Sequence, residues 1–207
     1  MSTDMYGPLL DRIHEKHLWD KKHNWEKKRL HVNYAPATRK QVYRSETALG
    51  FSFPPLLRAI YLQIANGGVG PRRGIMGAKG GFVDNLGNSV EMYLWRKREF
   101  QPIDLAECEK QAYEISMEEN AFKLVSNLEM EPPDETWPES LLAFYHHGCG
   151  DFSSIDLKTG RIFVGGNPLL WYEANSLEEW FERWLQDDDG NLNPNANSLE
   201  EWLKRLE

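Results

Sequence analysis

The chain has 207 residues, 41% hydrophobic and 27% charged, with eight Trp, nine Phe and eight Tyr; this is enough for one domain with a full core and a short appendage, but tight for two compact domains. It contains no run of roughly 18 apolar residues able to span a bilayer, its opening MSTDMYGPLLDRIHEKH lacks the apolar segment of a secretory signal, and Cys108 and Cys149 stand far apart, as reduced thiols in a cytoplasm do. The net charge of −8 divides into +8 over residues 1–100 and −16 over residues 101–207: such a split marks either two halves that complement each other or a surface for a partner, and the overall sign disfavours nucleic acid.

Residues 8–31 read as a helix with Leu9, Leu10, Ile13 and His17 on one narrow stripe, the pattern of an arm lying on a domain. Tyr34 to Ala37 breaks it at Pro36. A second helix is expected to start at the cap candidate Thr38 and stop at Gly50. After a short extended link, Phe51–Phe53, a third opens on Pro54 and Pro55, where a missing amide costs nothing. It points Leu56, Leu57, Ile60, Tyr61 and Ile64 inward and ends at Asn66-Gly67-Gly68.

Residues 67–81, GGVGPRRGIMGAKGG, have the glycine content of a phosphate-binding loop but not its pattern. There is no Gly-Lys-Ser/Thr ending, and the third glycine of a dinucleotide fingerprint falls at Arg73. The stretch also follows a helix instead of a strand. It is read as a conformationally demanding surface loop.

Ser89–Phe100 should be helical, with Val90, Tyr93 and Leu94 on one face and Arg96, Lys97 and Arg98 near the C-terminal end, where the helix dipole favours cations. Residues 104–129 are acidic and weakly patterned, and 131–138 read as a connector. Beyond it the period becomes two. Strands are expected near 141–146, 151–157 and 161–164, the last two joined by a tight hairpin with Gly160 in the left-handed position. Helices first and strands later indicate an α+β fold with a small, largely antiparallel sheet.

His146, His147, Cys149 and Asp151 form the densest set of metal-ligand side chains, but adjacent strand residues face opposite ways and no CxxC or HxxxH completes a site. His14 and His17 are one residue short of an HExxH spacing. The segment from Asp187, DDDGNLNPNANS, alternates oxygen donors as a calcium loop does, yet has Leu192 and Ser198 where such a loop needs glycine and glutamate. No Gly-x-Ser-x-Gly occurs and no carboxylate pair stands in an apolar setting. No catalytic residue, metal or cofactor is therefore assigned. A metal-dependent hydrolase assembled from distant positions is the weakest reading.

Near its end the chain repeats itself: ANSLEEWFERWL at 174–185 returns as ANSLEEWLKRL at 196–206. Each copy opens on a capping box, Ser176 with Glu179 and Ser198 with Glu201. The first stripe, Leu177, Trp180, Phe181, Trp184 and Leu185, is the wider and is expected to dock on the core. The second, Leu199, Trp202, Leu203 and Leu206, either packs as an extra helix on its own domain or enters the corresponding groove of a neighbouring molecule, making a homo-oligomer.

With these residues in view, SETALGFSFPPLLRAIYLQIANGGVGP, 45–71, resembles the opening signature of the SUKH superfamily, which includes yeast cell-wall assembly regulators of the Smi/Knr type and many bacterial immunity proteins. WPESLLAFYHHGCGDFSSIDLKTGRIFVG, 137–165, is similar to the family's strand, glycine-rich bend and Asp-containing hairpin, and NSLEEWFERWL to its closing helix. The resemblance implies an α+β fold with a curved mixed sheet flanked by helices, protein binding without catalysis, and no catalytic residues to carry over. Asp151 and Asp156 match its acidic hairpin positions, where local turn bonding is the expected role. The basic arm and the second SLEEW helix lie outside the matching pattern.

The expected organisation is an N-terminal helical arm at 1–36, a SUKH-like domain at 37–186, and a linker with the duplicated amphipathic helix at 187–207. The expected function is that of a non-catalytic, cytoplasmic protein-binding module of the toxin-neutralising immunity type, with a self-assembling scaffold or regulator as the alternative. The partner surface is expected at Arg72, Arg73, His146, His147 and Asp151; the assembly helix at Leu199, Trp202, Leu203 and Leu206.

Overall fold

The computed structural model describes residues 6–23, 34–83, 87–106, 136–166 and 170–186. Residues 24–31 of the expected first helix, Cys108, most of the acidic stretch 104–129, the Asp/Asn-rich linker and the second SLEEW helix lie outside the described residues.

The arm is a helix, α1, Gly7–His23, which buries Leu10, Ile13, His17 and Asp20. It packs on the closing helix α5, Leu177–Gln186. Arg12 donates from both terminal nitrogens to the two carboxylate oxygens of Glu182 at 2.8 Å each, and Lys16 Nζ stands 5.6 Å from the Trp184 ring centroid. The basic arm thus meets an acidic helix of the second half of the chain, one place where the two opposed charges of the sequence are spent on each other.

Helix α2, Arg39–Leu49, has the expected ends. Thr38 Oγ1 accepts the Gln41 amide while the Gln41 side chain accepts the Thr38 amide, and Gly50 leaves the helix at φ 84°. Helix α3, Pro55–Gln63, follows the proline pair and buries Leu56, Leu57, Ile60 and Tyr61. Helix α4, Ser89–Glu99, is capped by Asn88, whose Oδ1 accepts the amides of Val90 and Glu91. Two side chains of α4 depart from expectation. Leu94 is exposed, and Arg96 is buried under the sheet instead of facing solvent at the helix end.

The glycine-rich loop is not a surface loop. Among residues 66–82 only the tips, Arg72 with Arg73 and Lys79 with Gly80, are exposed. The rest is pinned from within: Asn66 Oδ1 accepts the Ala78 amide at 2.8 Å, Asn66 O accepts that of Phe82, Gly68 N donates to Ile75 O, and Met76 N donates to Phe144 O. The composition follows from this crowding. A Cβ on Gly74, at φ 79°, would lie 2.2 Å from the Gly68 carbonyl carbon, so the glycines serve close packing of backbone on backbone.

Among the described residues, six short strands complete the architecture. Strands β1, Gln101–Ile103, and β2, Thr136–Pro138, pair in parallel; residues 136–138 are therefore strand, not connector. Strands β3, Leu141–Gly148, β4, Asp151–Asp156, β5, Ile162–Gly165, and β6, Leu170–Ala174, form an antiparallel meander in chain order. The fold class is α+β, with the parallel pairing confined to the separate β1–β2 pair. At the β4–β5 turn Asp156 accepts the amides of Lys158 and Thr159 and the Thr159 hydroxyl, and Gly160 takes φ 78°. This is the local bonding expected of that aspartate.

Both faces of the meander are covered. One carries Leu142, Phe144, Ile155, Ile162 and Ala174 into the main core with α1, α2, α3 and α5; the other holds Leu141, Phe163 and Tyr172 against Trp137 and Leu105. On α5, Leu177, Trp180, Phe181 and Trp184 are buried, each large ring contributing on the order of 2–3 kcal/mol. Ser176 Oγ accepts the Glu179 amide, while Glu179 reaches back to the backbone and side-chain nitrogens of Asn175, one residue earlier than the simple box predicts.

Candidate functional site

The loop, the β3–β4 hairpin and α5 meet at one end of the domain. The hairpin turns through Gly148, Cys149 and Gly150, all at positive φ, and an irregularity in the strand register falls between His146 and Gly148. Arg72, at φ 43°, and the exposed Cys149, at φ 55°, are the only non-glycine residues among those described with left-handed backbone. Each such conformation costs roughly 1–3 kcal/mol. Both sit at exposed tips, one on the loop and one on the hairpin.

Arg72 and His147 are brought together. His147 is pushed down to about 4 by burial first, then by the positive charges of Arg72 and His146. Arg73 is exposed at the same loop tip. Asp151, half-buried, pairs across the strand with Gly148, its carboxylate beside Gly166. The two histidines face opposite ways, as strand alternation requires. His146 stacks on Phe152 at 4.5 Å with the rings 15° apart, whereas His147 lies edge-on to Tyr145 at 4.7 Å.

Beneath His147 runs a polar line that the sequence reading missed. Its Nε2 lies 2.7 Å from Ser153 Oγ. The Ser153 hydroxyl in turn favours the charged form of the Glu173 carboxylate, which also accepts the Trp180 indole N–H at 3.0 Å. Burial nevertheless dominates and raises the Glu173 pKa. The Glu173 backbone carbonyl accepts from Arg183 Nη1 at 2.5 Å. The signal that could have revealed Glu173 is one carboxylate inside the apolar strand LWYEA.

A His, a Ser and a Glu in line invite comparison with a hydrolytic triad, but the order is wrong. Serine stands between the other two, and its 0% exposure leaves no path for a substrate carbonyl. Among the described residues no three His, Cys, Asp or Glu side chains gather as a metal site. No described helix is long and apolar enough to cross a membrane. What the arrangement does is fix a strained, exposed tip over a buried hydrogen-bonded base.

No curated protein matches the chain. The model of the SMI1 / KNR4 family (SUKH-1) matches residues 36–205, from just before the Thr38 cap to Arg205, so the second SLEEW copy, expected outside the matching pattern, falls within the matched residues. On that match, and with the helix order and antiparallel meander described above, the chain belongs to the SMI1 / KNR4 family (SUKH-1).

Proposed function

We propose that the chain is a non-catalytic, cytoplasmic protein-binding module that neutralises a toxin, and that its recognition surface comprises Arg72, Arg73, His146, His147 and Asp151. The carrying observation is the pair of left-handed non-glycine residues, Arg72 and Cys149, held at the exposed tips of the loop and of the β3–β4 hairpin, with the Arg72 charge acting on His147 of that hairpin. Strain kept at an exposed point is better accounted for by binding than by folding, which it opposes. Membership of a family associated with immunity proteins and regulators supports the same reading. The acidic second half of the chain favours a basic partner through electrostatic steering.

The test is co-purification with the product of the adjacent gene, followed by surface variants. Arg72→Ala and Asp151→Ala should weaken the complex at least tenfold, and Trp19→Ala, on the exposed end of α1, should leave it unchanged. Failure of the neighbouring protein to bind at micromolar concentration would remove the proposal. A self-assembling regulator is the second reading, favoured by the duplicated SLEEW helix.

A further inference from the structure

Arg96 projects from α4 beneath the sheet and is 5% exposed. Its guanidinium carbon lies 3.6 Å from the centroid of Trp137 and 4.7 Å from that of Phe152. Burial lowers its pKa to about 9, so it stays charged at neutral pH. The ring faces attract the cation, the more so because the contact is desolvated. They do not satisfy its in-plane N–H groups, and Nη1 is buried with no acceptor among the described residues. An unmet buried donor is destabilising, and more so when charged.

Beside the guanidinium is a cavity of about 10 Å³ bounded by Tyr93, Lys97, Phe100, Pro102, Trp137 and Glu139. That is room for one water-sized sphere. A phosphate does not fit, but one oxygen of a carboxylate does. Water there would leave the charge uncompensated. Lys97 supplies a second cation at the rim. Glu139, an exposed residue of the same rim, offers a competing carboxylate among the described residues; its backbone carbonyl already accepts the Tyr93 hydroxyl at 3.2 Å.

We propose that Arg96, clamped by Trp137 and Phe152, is a carboxylate-binding subsite that takes one oxygen of an Asp or Glu side chain from a partner protein. Only the source of the carboxylate rests on the protein-binding reading given above. The chemistry does not.

The full chain is titrated with sodium formate at ionic strength held by sodium sulfate, whose ion is too large for the cavity, while the Arg96 Nε–H resonance is followed by NMR. A saturable shift is expected, strengthened several-fold in Glu139→Gln, which removes a competing carboxylate at the rim. Arg96→Met, which replaces an unpaired buried charge with a flexible apolar chain, is expected to fold and to lose the formate-dependent rise in melting temperature. No saturable shift in either wild type or Glu139→Gln overturns the subsite, whether or not Arg96→Met folds. Displacement of formate by the neighbouring-gene protein supports the partner as the source. Formate binding with no such competition overturns that source and assigns the cavity to free carboxylates. Loss of the protein partner with formate binding intact would sink the proposed function alone.

Discussion

His147 Nε2 and Ser153 Oγ, 2.7 Å apart across the β3–β4 pair, tie the exposed end of the sheet to its buried interior. The histidine is held near pKa 4, chiefly by burial and secondarily by Arg72. Its unfolded value is about 6.5, so between these limits the unfolded chain binds the extra proton. The contribution is complete above about pH 6.5 and is lost as pH falls toward 4. Its full size is on the order of 2–3 kcal/mol. Urea unfolding of wild type and His147→Gln from pH 7 to pH 4 should show the wild type losing about that much more than the variant. Parallel curves would show that His147 is not the group responsible.

Glu173 works in the opposite sense. Its pKa is raised in the fold, above all by burial. Such a group favours folding at low pH, and the benefit is lost as pH rises through the folded pKa. Glu173→Gln keeps an acceptor for the Trp180 indole while removing the ionisation, so its unfolding free energy should fall less than that of wild type between pH 4 and pH 8. Glu173→Ala strands the indole N–H and should cost about 1–3 kcal/mol from that loss. A Gln variant with the wild-type pH slope would contradict the assignment.

The glycine-rich loop gives a prediction independent of charge. Gly74→Ala places a Cβ 2.2 Å from the Gly68 carbonyl carbon at φ 79°. Gly150→Ala has an equally left-handed backbone, φ 93°, but nothing within 4 Å. The second substitution should cost about 1–2 kcal/mol, the backbone penalty alone. The first should cost clearly more, because backbone atoms must move. Equal losses in chemical denaturation would mean that the loop opens without strain and that its burial does not explain its composition.

Where the chain signals its own ends, sequence and structure agree for a local reason. The Thr38 cap, the Pro54-Pro55 start and the left-handed Gly50 and Gly160 each depend on a few neighbouring residues. What was illegible depends on distant ones. Strands β1 and β2 have three residues each and gain their pairing only from each other. Strand β6 carries a buried glutamate that breaks its apolar pattern, and Leu94 and Arg96 exchange the places that helix periodicity and dipole arguments assign them. Arg96 is buried because Trp137 and Phe152, far along the chain, supply two rings. At the candidate site the sequence picked out both histidines and the loop arginines, and the proximity of Arg72 to His147 became visible only with the loop folded inward. Ser153 carried no local mark at all.

The repeated helix now has a measurable asymmetry. Laying the second copy on α5 residue for residue keeps Trp180 as Trp202, Arg183 as Arg205 and the Ser176 cap as Ser198, but replaces Phe181 by Leu203, Glu182 by Lys204 and Trp184 by Leu206. In the α5 groove Phe181 is 0% and Trp184 1% exposed, so two leucines there would leave voids. Lys204 would also meet Arg12 where Glu182 now pairs with it. The triple variant Phe181→Leu, Glu182→Lys, Trp184→Leu should therefore lose roughly 4 kcal/mol or more, almost all from the ring sites, since the exposed ion pair contributes at most about 1 kcal/mol. A loss below about 1 kcal/mol would show that the copies are interchangeable and open a route to swapped dimers. With the expected loss, the second copy needs another surface. Deleting residues 187–207 then separates the two arrangements: unchanged melting temperature with reduced mass by light scattering supports assembly through Leu199, Trp202, Leu203 and Leu206, whereas a drop of many degrees in a chain that was already monomeric places that helix on its own domain.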